Sequence, residues 1–188
     1  MILNVFRHIG TVLKHKWVVF KLCVRAGIPL QGIVHDLSKF SLTELKESIK
    51  YYNGKRSPLA LAKEQNGYSE AWLHHKGHNK HHYQYWYDYE APNTTPLMPY
   101  KYIIEMICDS FAAGITYQGK NWTKEYQLSY WNRTKEKAKM PEELRALLDN
   151  VYQLVAEEGL KSVICSKRLK EIYKKHIPKI NIVTEKKE

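Results

Sequence analysis

The chain has little cysteine. Cys23, Cys108 and Cys165 are odd in number, far apart and set in apolar segments. That pattern implies no disulfide framework and reads as reduced thiols in a cytoplasmic protein. Long hydrophobic runs are missing too: "WVVFKLCV", the longest near the start, falls far short of the roughly 20 residues a bilayer span needs. No signal peptide, membrane anchor or membrane partner is therefore expected. No segment alternates polar and apolar residues over strand length, no internal repeat recurs, and no linker is long enough to divide the chain. Acid is outweighed by base, 19 Asp and Glu against 30 Lys and Arg, for a net charge of +11. A field of that sign attracts phosphates, nucleotides, nucleic acid or anionic membranes.

What the chain does have is helical periodicity. Ile2, Val5, Phe6, Ile9, Val12, Leu13, Trp17, Phe20 and Val24 recur at threes and fours, which predicts a long amphipathic helix over 2–26. Gly27 suits its C-terminal cap, and Pro29 the first position of a helix through "LQGIVHDL". In "SLTE", Ser41 precedes Glu44 by three residues, a capping-box pattern opening a helix to about Tyr52. Pro58 starts a short helix to about Gln65, and Ser69 caps a histidine-rich segment that Gly77 breaks into two short helices or a helix and a loop. Pro99, the third proline of the loop "EAPNTTPLMP", opens "YKYIIEMICDSFAAGITY", and further helices are predicted over about 122–138, 141–158 and 162–175. The class is all-α.

Six of the nine histidines fall between residues 35 and 82, five of them in "HHKGHNKHH". On a helix His74, His78, His81 and His82 would share one face, while His75 pairs better with His78 and His82. Converging neutral imidazoles are good ligands for a divalent transition metal. Other candidates sit among apolar neighbours: His15 on the first helix, His35 and Asp36 in "IVHDL", Asp109 in "EMICDSF". A buried carboxylate costs too much unless it meets a metal, a cation or hydrogen-bond donors.

The order of His15, the His35–Asp36 pair, the later histidines and Asp109 resembles the HD superfamily of metal-dependent phosphohydrolases, and "HDLSKF" is similar to its His-Asp-x-x-Lys signature, with Lys39 in the lysine place. The stretch from Gly32 to Asp88 also resembles a family of small bacterial and phage proteins known only as a domain of unknown function. The resemblance covers about residues 3–120 and implies a compact HD-like helical bundle. It places the metal-site core there, with added C-terminal helices over about 122–175. One domain over 1–176 and a flexible tail over 177–188 are expected. It further implies one or two ions among Mn, Fe, Zn, Ni and Co, held by His15, His35, Asp36 and Asp109. His74 or His75 and His81 or His82 would complete a second site bridged by Asp36. Two "HH" pairs within nine residues are tighter than in the usual dinuclear members.

On that reading Asp36 and Lys39 are the catalytic residues, and Lys39, Lys80 and Lys120 hold a small phosphorylated or nucleotide-like substrate. The expected reaction is hydrolysis of a phosphoester by metal-activated water. Two rivals stand beside it. One is an HD-type di-iron oxygenase, which the histidine count permits. The other is a basic helical protein that binds nucleic acid without catalysis, using its five Trp and 14 Tyr for stacking.

Overall fold

The structure, a computed structural model, describes residues 2–92 and 94–177. It is all-helical, with no β-strand among the described residues. Among the described residues ten α-helices run α1 Ile2–Ala26, α2 Pro29–Val34, α3 Leu42–Tyr51, α4 Pro58–Asn66, α5 Glu70–His78, α6 Tyr100–Gln118, α7 Lys124–Thr134, α8 Glu142–Glu158, α9 Leu160–Val163 and α10 Ser166–His176. A 3-10 turn over Leu37–Phe40 links α2 to α3.

Local chemistry explains most boundaries. Gly27 takes φ +80 after α1, where a side chain would be strained, and Pro29 opens α2. Ser41 and Ser69 accept hydrogen bonds from the backbone N–H groups of Glu44 and Trp72, as N-caps do. Three predicted spans are corrected. The helix expected through "LQGIVHDL" stops at Val34, because Asp36 lies in the left-handed region at φ +53. The span 122–138 ends at Thr134 and finishes as a 3-10 turn, and the span 162–175 divides into α9 and α10. Of the tail expected from residue 177, Ile177 is buried at 4% exposure and the rest lies outside the described residues.

The core is built on α6, which buries Ile103, Ile104, Ile107, Cys108, Phe111 and Ala112. Two layers cover it. On one side α1 contributes Val19, Leu22 and Cys23; on the other, Leu144, Leu147, Leu148, Val151 and Tyr152 of α8 join the same apolar cluster, together with Leu169 and Ile172 of α10. Tyr152 lies between Phe111 and Trp131, with ring centroids at 5.0 and 5.1 Å. Burying each large side chain of this set contributes about 1.5–3 kcal/mol, which fixes α1 against α6. That contact matters for the site, because its polar residues stand along the edge of the same α1–α6 seam.

Candidate metal centre

The end of α2 creates the site. His35 leaves the helix with ψ 127 and Asp36 turns left-handed, a conformation that Asp tolerates better than most residues. The Lys39 N–H returns to the Asp36 carbonyl at 3.1 Å, and the Lys16 ammonium donates to the His35 carbonyl. His35 and Asp36 are thereby buried at 1% exposure each, facing α1, α5 and α6.

Two groups of ligand-type atoms meet there, and both contain Asp36. In the first are His15 of α1, His35, Asp36 and Asp109 of α6, all within 4.8 Å of one another. His15 Nε2 lies 2.9 Å from Asp109 Oδ1, and His35 Nε2 lies 3.2 Å from Asp36 Oδ2 and 3.5 Å from Asp109 Oδ1. The second group joins Asp36 to His75, His81 and His82. There Asp36 Oδ1 is 3.3 Å from His75 Nε2 and 3.5 Å from His81 Nε2. Despite these short approaches, the Nε2 atoms of His15, His35, His81 and His82 are buried without a hydrogen-bond partner, and Asp36, buried among them, has the Lys39 ammonium 2.5 Å from Oδ2. Orphaned polar atoms at this density would cost several kcal/mol, and lone pairs converging on shared space are what a cation needs. The clusters could hold a metal ion.

The backs of the imidazoles are tied down. His35 Nδ1 is 2.9 Å from Glu105 Oε1, and His81 Nδ1 is 3.2 Å from the same oxygen. His75 Nδ1 is 2.8 Å from Glu44 Oε2, while His74 Nδ1 is 2.9 Å from Glu44 Oε1. A carboxylate accepting from Nδ1–H leaves the lone pair on Nε2 and fixes the ring. His35, His81 and Glu105 also form a third cluster of ligand-type atoms. Its carboxylate already accepts from both rings, so it orients ligands rather than competing for an ion.

The sequence-predicted residues separate clearly. His15, His35, Asp36, His75, His81, His82 and Asp109 come together. His74 does not: it lies on Glu44, one quarter exposed, with its ring stacked on His78 at 4.0 Å. His81 and His82 reach the site from a turn and not from the helical face expected for them. The helix ends at His78, where Asn79 becomes extended and its side chain donates to Ser38 Oγ at 2.7 Å and to the His75 carbonyl at 2.8 Å.

Glu44 and Glu105 escaped sequence reasoning. Glu44 read as half of a capping box, but only Ser41 caps; the Glu44 carboxylate is committed to histidine. Glu105 had a legible signal, since it stands four residues before Asp109 on one helix face in an apolar run.

The charges of the site are strongly coupled: burial opposes the His35 imidazolium, yet Asp36, Asp109 and Glu105 raise its pKa well above the ordinary imidazole range. Burial acts to raise the Asp36 carboxyl, but His35, Lys39 and His75 outweigh it and hold the group well below the ordinary carboxylate range. Burial likewise opposes the Lys39 ammonium, yet Asp36, at 2.5 Å, and Asp109 hold its pKa above the usual lysine range. Glu105, raised by burial and lowered more strongly by its hydrogen bonds to His35 and His81, falls to about 2. Burial, then the nearby His81 and His75, pushes His82 well below the usual imidazole range, which favours the neutral, ligating form.

A cavity of about 190 Å³ opens onto the groups between His15, Asp36, Lys39, His75, His82 and Asp109. It shares Ser57, His82, Asp109, Ala113 and Tyr117 with a cleft of about 570 Å³, whose outer wall carries Lys55, Arg56, Tyr126 and Tyr130. Lys39 lines the inner cavity. Lys80 and Lys120 line neither: Lys80 is exposed, 6.0 Å from the ring centroids of Tyr85 and Tyr102, and Lys120 is exposed on the turn after α6.

A family model, described as a family of unknown function (DUF5662), matches residues 4–154. The chain belongs to DUF5662. The DUF5662 segment starts in α1 and ends within α8, so it contains both ligand groups and both orienting carboxylates. It also runs past residue 120, where the likeness read from the sequence stopped, and takes in α7. No curated protein and no solved structure matches the chain.

Proposed function

We propose that this protein is a metal-dependent hydrolase of phosphoesters. One observation carries the reading: buried Nε2 atoms without hydrogen-bond partners converge on the Asp36 carboxylate, while the backs of three of the rings are tied to carboxylates. His15, His35, Asp36 and Asp109 would hold one divalent ion and Asp36, His75, His81 and His82 a second. Imidazole with carboxylate suits Mn, Fe, Zn, Ni or Co. A bound divalent ion supplies Lewis acidity and a water of lowered pKa.

The chain's own residues do the rest. Lys39 places an ammonium beside Asp36 at the cavity wall, where it can pair with a phosphoryl oxygen as a point charge. Glu44 and Glu105 hold the tautomers that present Nε2. The outer cleft admits the rest of a phosphorylated or nucleotide-like molecule, with Lys55 and Arg56 at its wall. The histidine-rich second group suits iron as well, so a di-iron oxygenase is the second reading.

The test is turnover with added metals. Protein reconstituted separately with Mn, Co, Ni, Zn or Fe is assayed against p-nitrophenyl phosphate and bis-p-nitrophenyl phosphate, beside Lys39→Ala and Asp36→Asn. Hydrolysis lost in both variants supports the proposal. Dioxygen consumption by the iron form with no phosphoester turnover transfers it to the oxygenase, and inactivity in every arm refutes both.

A further inference from the structure

α1 carries two faces. His8 and His15 point inward from one side, each 6% exposed. On the opposite side Phe6, Leu13 and Phe20 repeat every seven residues, and Trp17 and Val24 stand four after the last two. Phe6, Leu13, Trp17 and Val24 are 68, 52, 59 and 48% exposed, and Phe20 stacks on Trp17 at 5.7 Å. α2 broadens this face. Gly32 lets it lie against α1, since a Cβ there would stand 2.9 Å from the Phe20 Cα. Leu30, Ile33, Val34 and Leu37 are all more than half exposed. Single exposed apolar side chains are ordinary, but eight on two packed helices and the turn that follows mark a surface that meets a partner.

Charge selects the partner. No Asp or Glu precedes Asp36, and Asp36 is buried. Arg7, Lys14, Lys21 and Arg25 are exposed and run along one flank of the apolar stripe. Lys14 and Arg25 donate to backbone carbonyls and Lys21 lies over the Trp17 ring; among the described residues none of the four pairs with a carboxylate. A second copy seated on this face would set base against base in either direction, because α1 has no acid to answer it. A nucleic acid would meet the cations and leave the aliphatic side chains nothing to bury against.

We propose that the α1–α2 face seats on a bilayer surface that contains anionic lipids. The apolar stripe enters the headgroup boundary and the flanking cations meet the acidic heads. No helix is long and apolar enough to cross a membrane, and a surface-seated helix needs no such length. His8 and His15 lie across α1 from the stripe, so the inner cavity stays clear of the membrane.

Sedimentation of the full-length, tag-free protein with lipid vesicles tests this. Phosphatidylcholine vesicles are compared with phosphatidylcholine–phosphatidylserine vesicles at low and high salt, with Lys14→Glu, Lys21→Glu and a Trp17→Ser/Leu30→Ser double variant. The protein should pellet with phosphatidylserine vesicles only. Each charge reversal should lower partitioning at least about fivefold, and the double variant should lower it at both salt concentrations. Leu13→Ser replaces Trp17→Ser if the latter loses its helical circular dichroism. No pelleting with phosphatidylserine overturns the proposal. So does pelleting that the apolar variants leave unchanged, which is adsorption by charge alone, or a solution dimer that Trp17→Ser disperses, which makes the occupant a second copy.

Discussion

Replacing Glu44 by glutamine keeps the side chain's shape and removes its charge. Glu44 is 1% exposed and accepts from His74 at 2.9 Å and His75 at 2.8 Å. Glutamine offers one oxygen and one NH₂, so one of the two rings must face a donor. If that ring is His75, its Nδ1–H loses its acceptor and the competing tautomer moves the lone pair off Nε2. Losing an orienting partner of this kind lowers metal affinity about 10–100-fold, equivalent to about 1.4–2.8 kcal/mol. The unmatched buried donor costs a further ~1–3 kcal/mol of fold stability. Only the second ligand group contains His75, so Glu44→Gln should weaken one of two ions. Glu105→Gln touches His35 and His81, one in each group, and should weaken both. Competition titration against a chromophoric chelator resolves the two steps. Unweakened binding in Glu44→Gln puts its NH₂ on His74, and two ions at parent affinity in Glu44→Ala as well refute this account of the orienting carboxylates.

Three further outcomes follow from the geometry. Asp36→Ala should be about 1 kcal/mol less stable than Asp36→Gly in chemical denaturation, because φ +53 strains alanine and suits glycine; equal stabilities would mean the turn relaxes. Gly32→Ala should cost about 1–3 kcal/mol and also reduce metal content, since its Cβ would meet Cys23 and Phe20 at 2.9 Å and push out the helix end that carries His35 and Asp36; parent-like melting and metal content would contradict it. Asp149 should supply an acid-sensitive share of stability. Burial is the largest single influence and raises its carboxyl, but Lys135 at 2.8 Å and Trp131 at 2.7 Å together outweigh it and depress the group. A depressed folded pKa stabilises above the unfolded value near pH 4 and fades as pH falls through the folded one. Asp149→Asn should therefore be less stable than the parent at pH 7, by a margin that shrinks as the pH falls below about 4; a gap that widens in acid would reverse the sign.

The helices were legible because their punctuation is local: Pro29, Ser41, Pro58, Ser69 and Pro99 all stand at or beside helix starts. The gathering of His15, His35, Asp36 and Asp109 was implied by the resemblance that "HDLSKF" and the order of these residues carry, and it agrees with the need of polar groups in apolar runs to find company in the core. What escaped the sequence depends on tertiary partners. The left-handed turn at Asp36 ends α2 early, against a helical pattern that continues through Leu37. His81 and His82 follow helical spacing yet ride a turn set by the Asn79 side chain, whose partners Ser38 and His75 are 41 and 4 residues away. Glu44 carries a capping-box signature that the fold uses only in half, because two histidines 30 and 31 residues later claim the carboxylate. Lys80 and Lys120 looked equal to Lys39 as phosphate partners, but only position in space distinguishes a cavity wall from an exposed turn.

The central claim is that Asp36 joins two groups of metal ligands, and metal stoichiometry tests it most directly. Tag-free parent and Asp36→Asn, reconstituted and desalted identically, are compared by elemental mass spectrometry, with melting curves confirming that both are folded. The account predicts up to two equivalents of a divalent transition metal in the parent and a loss from both groups in the variant. A folded parent that takes up no metal, or an Asp36→Asn protein that retains the parent's content, would contradict it.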